Sequence, residues 1–154
     1  MKQLFRATKL PRKLTYICLS LLLLTLPVRS QSMKDTDRDR QAIRSVIEQQ
    51  IRAFQQDDAR TAFSFASPEI RGKFGTPEVF MQMVKSAYPA VYRPRSVMFE
   101  QLKEVDGMVA QAVLLLAPDG NLERAIYLME KQVDGTWKIN GCYLEPIEGT
   151  GEII

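Results

Sequence analysis

Glu100, Gln111, Glu130 and Tyr143 are the residues of this chain with the most chemistry to offer. A carboxyl group shut away from water is pushed toward its neutral form, and can then abstract a proton from a bound molecule near neutral pH. An amide and a phenol beside it would hold that molecule in place. The competing outcome is that these acids lie at strand ends and point into water. Tyr88, Tyr92 and Arg93 form a second group, gathered around Pro89 and Pro94. Aromatic rings and a guanidinium on an extended segment frame a pocket rim or a docking surface. Alternatively the tyrosines pack as lids where helix meets sheet. These seven residues make the candidate ligand-binding set, and none is assigned a catalytic role.

Other chemistries find less material. The chain has no histidine and two cysteines, Cys18 and Cys142. A serine–histidine triad is excluded, as are zinc and redox-metal sites of ordinary composition; no metal and no cofactor are expected. Asp57-Asp58 has no third acid at ligand spacing and reads as a helix break and cap rather than a cation site. Cys142, in the middle of an apolar strand, reads as a small buried group rather than a reactive thiol. Trp137 reads as core.

The elements that must position these residues can be followed along the chain. Short carboxylates at Asp35 to Asp39 suit a helix start. Ile43, Val46, Ile47, Ile51 and Phe54 then recur at steps of three and four, the stripe of an amphipathic helix. A shorter helix is predicted over Ala59 to Phe65. Ser67-Pro68-Glu69 and Thr76-Pro77-Glu78 each combine a hydroxyl cap, a proline at the first helical position and an acid in the first turn. They open a helix of one or two turns and a longer one with Phe80, Met83, Val84 and Ala87 on one face. The prolines at 89 and 94 predict an extended crossover. Asp106-Gly107, Asp119-Gly120 and Asp134-Gly135 then separate four β-prone runs, near 95–105, 108–117, 122–132 and 136–144. Asp-Gly suits a tight hairpin turn, so the four runs form an antiparallel meander. The fold class is therefore α+β, with N-terminal helices packed on a bent four-stranded antiparallel meander.

Treating every Asp-Gly as a two-residue loop fixes a register. One face then holds Met98, Val113, Leu115, Ile126, Leu128, Trp137, Ile139 and Tyr143, with Glu100, Gln111, Arg124 and Glu130 among them. The other holds Val97, Phe99, Ala110, Ala112, Leu114, Tyr127, Met129, Cys142 and Leu144. Both are apolar at the centre, so the helices are expected to cover the first and a second copy of the chain the other. Gly141 predicts a bulge or bend.

Residues 1–30 read as an export signal. Five basic residues precede an apolar run from Leu14 to Leu26, which Pro27 ends, and Val28 and Ser30 place cleavage near Ser30. The run is shorter than the ~20 residues of a membrane-spanning helix; an uncleaved anchor is the competing reading. Removing this segment takes six of the 21 basic residues and none of the 18 acidic ones. That leaves 15 against 18, a net charge of −3. No basic excess remains for nucleic acid or an anionic membrane. The expected organisation is a flexible leader over 31–36, one domain over 37–146 and a loose tail over 147–154, with location in a periplasm, a lumen or outside the cell.

Several segments resemble an uncharacterised family placed in the nuclear-transport-factor-2-like superfamily, the cone-shaped fold of ketosteroid isomerase. They are Ile51-Arg52-Ala53-Phe54 with Asp57-Asp58-Ala59, and Phe65-Ala66-Ser67-Pro68-Glu69-Ile70-Arg71. Phe74-Gly75-Thr76-Pro77-Glu78, Phe80-Met81 and Tyr88-Pro89-Ala90-Val91-Tyr92-Arg93-Pro94 follow, and Asp134-Gly135-Thr136-Trp137-Lys138-Ile139-Asn140-Gly141-Cys142 closes the match. The resemblance implies a cone of helices and bent sheet. It implies no activity, because that superfamily holds enzymes and binding modules alike. Its isomerase-like enzymes place an acid with a tyrosine or second acid in the cone's mouth, but no position here matches a catalytic motif. The leading expectation is a noncatalytic exported module, a homodimer, binding a small apolar ligand or a protein partner. The alternatives are an isomerase- or dehydratase-type enzyme with a buried glutamate base, and an accessory subunit of an envelope assembly.

Overall fold

The computed structural model describes residues 29–145 and 147, with side chains described from Thr36 onward. Nearly all of the expected export signal and the tail beyond residue 147 lie outside the described residues. All packing below belongs to the unit Asp35–Ile154.

Helix α1 (Arg29–Gln55) starts ahead of the expected capping acids. No proline or glycine stands between Ser30 and Gln55 to stop it. Its stripe is as predicted: Ile43, Ile47, Ile51 and Phe54 are buried. Gln50 is buried with them, and its amide donates to the Ala62 carbonyl at 3.1 Å. Asp57 ends the helix at φ 56°, and the Asp58 carboxylate accepts from the Thr61 amide to cap α2 (Ala59–Ser64). Ser67 caps α3 (Pro68–Phe74) and Thr76 caps α4 (Pro77–Ala87), each accepting from the amide three residues on. Phe80 of α4 joins these helices, its ring centroid 5.4–5.9 Å from those of Phe54, Phe63 and Phe74. Burying one such ring contributes about 2–3 kcal/mol.

The crossover differs from its expected extended form. Pro89–Tyr92 makes one helical turn, α5. Proline is permitted at a first helical position, and four residues separate Pro89 from Pro94, room enough for a turn. Only the residues preceding the prolines, Tyr88 and Arg93, are kept out of the helical region.

Strands β1 (Ser96–Val105), β2 (Met108–Leu116), β3 (Leu122–Lys131) and β4 (Trp137–Glu145) form an antiparallel sheet in sequence order. The three predicted hairpins are present, but only the first is a two-residue loop. Asp106 and Gly107 have φ 51° and 77° between the paired Val105 and Met108. The other two are three-residue loops, in which the amides of Gly120 and Gly135 reach back to the carbonyls of Ala117 and Gln132. The extra residue shifts the β2–β3 register by one, and a one-residue shift turns every side chain of a strand to the opposite face.

The predicted faces are therefore corrected. Val113, Leu115, Ala125, Tyr127, Met129, Trp137 and Ile139 belong to the buried core beneath the helices. Ile126 packs with Ala110 and Ala112 on the other side of the sheet, with Leu128 and Val105 against them. Two bulges complete the change. Glu100 and Gln101 together oppose Ala112 in β1, and Asn140 is the extra residue in β4 beside Gly141. The second bulge places Cys142 opposite Tyr127 and Tyr143 opposite Ile126. Ala110, Ala112 and Ile126 are each under a tenth exposed within the single chain.

Candidate functional site

The connection between α2 and α3 is tied to β4 at its bulge, and this tie shapes the main pocket. The Ile139 amide donates to the Phe65 carbonyl, and the Ser67 amide donates to the Ile139 carbonyl. The buried Ser67 hydroxyl donates to Asn140 Oδ1 at 2.6 Å. Backbone and side chain together hold the start of α3 against the sheet, leaving a space between α1, α3, α4 and β3–β4. It measures about 540 Å³. Phe54, Ile70, Phe74, Phe80, Met83, Val84, Val91 and Ile139 supply its apolar walls, Ala87 lies on its α4 side, and Glu69 and Lys73 are exposed on its α3 side.

Its polar groups are few. The Tyr88 hydroxyl donates to the Cys142 carbonyl at 3.3 Å and closes one side. Tyr127 lies fully buried among the lining residues, and its hydroxyl has no protein partner among the described residues. Burial, with a smaller effect of nearby Cys142, pushes the Tyr127 phenol well above its ordinary value. Burial likewise pushes the Cys142 thiol up to about 12, so it remains a neutral sulfhydryl.

The open face of the sheet carries a second depression, about 490 Å³, over Ala110, Ala112 and Ile126. Glu100 and Arg124 face each other beside it through Nε–Oε2 and Nη2–Oε1 contacts of 2.9 and 3.2 Å. This ion pair is the principal cause of a raised Arg124 pKa. Lys103, Tyr143 and Glu145 complete the rim.

The seven candidate residues are therefore divided. Glu100 and Tyr143 share the open-face depression, on the side away from the helices, contrary to the expected register. Glu130 follows them by strand alternation, is exposed, and lines neither space. Gln111 does lie on the helix side, 2 % exposed, but its amide braces the β1 bulge by donating to the carbonyls of Glu100 and Ala112. Tyr88 borders the main pocket. Tyr92 and Arg93 meet Asp57 instead: the Tyr92 hydroxyl donates to Oδ1, and Arg93 reaches Oδ2 at 2.7 Å. Lys85 joins from α4 at 2.7 Å, and both cations stand over the Tyr92 ring. The Lys85 ammonium, then the Tyr92 hydroxyl, hold the Asp57 carboxyl at about 2. This node joins the α1 end to α5 and is a structural clasp.

Sequence reasoning missed Tyr127, Gln50 and Asp57 as partners in these arrangements. For Tyr127 a signal existed, since a tyrosine at a core position carries a hydroxyl that must find an acceptor. Asp57 gave none, because Lys85, Tyr92 and Arg93 lie far along the chain.

No curated protein and no solved structure matches the chain. A family model matches residues 36–151, from within α1 through all four strands. On that match the chain belongs to the family described as Domain of unknown function (DUF4864).

Proposed function

We propose that this chain is an exported, noncatalytic module that holds a small apolar ligand in the pocket between its helices and its sheet. The observation that carries this reading is the pocket itself: about 540 Å³ of space, open on its α3 and α4 side, walled by aromatic and aliphatic side chains of the core. Apolar walls with a few placed polar groups are the ordinary build of a small-molecule site. The same reading takes the helices and meander as a nuclear-transport-factor-2-like cone, supported by a pocket that lies between the two layers. Export rests on the basic and apolar pattern of the first thirty residues. The glutamate-base alternative asked for a carboxyl enclosed in a cavity. Glu100 is held by Arg124 beside an open depression and Glu130 is exposed, so it draws no support from either.

Native mass spectrometry of the protein purified without denaturation, before and after incubation with acetylnaphthalene, tests the reading. Added ligand mass is expected for the wild type and absent from Ala87→Trp, which sets an indole at the exposed α4 rim of the pocket. Equal ligand in both proteins, or none in the wild type, would remove the proposal.

A further inference from the structure

We infer that the ligand is an uncharged apolar molecule carrying one hydrogen-bond acceptor, such as a ketone or ester carbonyl, which receives the hydroxyl of Tyr127. This inference rests on the pocket reading above and specifies what the pocket selects.

Tyr127 is 0 % exposed, sits on β3 directly across from Cys142, and belongs to the pocket lining. Its hydroxyl is buried without a protein partner among the described residues. A hydroxyl left dry in this way is unfavourable, and a phenylalanine ring would fill the same space without the penalty. The neighbouring polar side chains are differently placed. Tyr88 donates to the Cys142 carbonyl, Gln50 to the Ala62 carbonyl, and Asn140 accepts from Ser67. They hold the walls, and among the described lining residues the Tyr127 hydroxyl is the fully buried group left without a protein partner.

The charge of that guest follows from what surrounds it. Lys73 is the cation among the described lining residues, and it is exposed on α3 beside the acid Glu69. A carboxylate carried down to Tyr127 would lose its water and gain no opposite charge, an expensive exchange. The phenol stays protonated over the working pH range, because burial raises its pKa well above the ordinary value. It therefore offers a donor to a neutral acceptor rather than an anion to a cation. The space of about 540 Å³ falls within the range of pockets that enclose drug-sized ligands.

Three probes of one shape separate these features: acetylnaphthalene, isopropylnaphthalene and naphthoate, titrated calorimetrically at neutral pH into the purified wild type, Tyr127→Phe and Ala87→Trp. The ketone is expected to bind roughly threefold to tenfold more tightly than the hydrocarbon, the worth of one neutral hydrogen bond. Naphthoate is expected to bind more weakly than the ketone. Tyr127→Phe should bring the ketone to the hydrocarbon's affinity while leaving the hydrocarbon unchanged, which also shows that the variant's pocket is intact. Overturning results are a ketone no better than the hydrocarbon, a preference that survives Tyr127→Phe, or naphthoate as the tightest probe. Should all three bind alike and Ala87→Trp abolish them, the pocket reading stands and the acceptor inference falls. If the wild type binds none of them, both fall together.

Discussion

Replacing Gln111 by leucine removes the side chain that braces the β1 bulge while keeping most of its volume. The residue is 2 % exposed, and its Nε2 donates at 2.8 Å to the carbonyls of both Glu100 and Ala112. Glu100 and Gln101 stand together opposite Ala112, so the Glu100 carbonyl lies where the β1–β2 ladder is interrupted. Each neutral hydrogen bond contributes about 1 kcal/mol, and a buried carbonyl left unpaired adds about 1–3 kcal/mol. Leucine recovers part of this by burying more apolar surface, about 1–2 kcal/mol. The net loss is then about 1–4 kcal/mol. In a domain of this size that lowers Tm by about 3–20 °C, read by scanning calorimetry and checked by urea unfolding. The bulge also turns Glu100 toward Arg124, so losing the brace should loosen that ion pair. A Gln111→Leu protein that melts at or above the wild-type temperature, with an unchanged urea slope, would refute the reasoning. The amide would then be a passenger and the bulge self-supporting.

Two further outcomes follow from charged contacts between distant segments. Asp57, with an ordinary value of 3.8, is held at about 2 in the folded protein. Its contribution to stability is complete above about pH 4 and is lost as pH falls through 2. Between those values the urea midpoint should fall more steeply for wild type than for Asp57→Asn, and parallel profiles would dismiss the clasp. Asparagine tolerates the positive φ of this position, so the comparison isolates the charge. Asp39 receives the indole N–H of Trp137 at 3.1 Å and the Lys131 ammonium at 2.9 Å, tying α1 to the last hairpin. Asp39→Ala should destabilise by about 1 kcal/mol and shift the fluorescence of Trp137, the chain's single tryptophan. An unaltered spectrum and melting curve would show that this tie is not formed in solution.

Local chemistry was readable from residue order alone. Ser67, Thr76 and Asp58 cap helices by accepting from amides three residues away, and such short-range bonds are written in neighbouring residues. The strand limits followed for the same reason, since aspartate and glycine together admit the positive φ that a reversal needs. The faces of the sheet were a different matter. Pro118-Asp119-Gly120 and Val133-Asp134-Gly135 close three-residue loops while Asp106-Gly107 closes a two-residue one, and the dipeptide looks the same in all three. That single residue decides which side of β3 meets the helices, placing Tyr127 inside and Arg124 outside. The β1 bulge turned Glu100 outward, and the β4 bulge turned Cys142 inward and Tyr143 outward. The pocket depends on still longer reach: Ser67 meets Asn140 and Tyr88 meets the Cys142 carbonyl. Contacts between segments so far apart form only once the helices have docked on the sheet, because they depend on the packing of both layers and not on any run of adjacent residues.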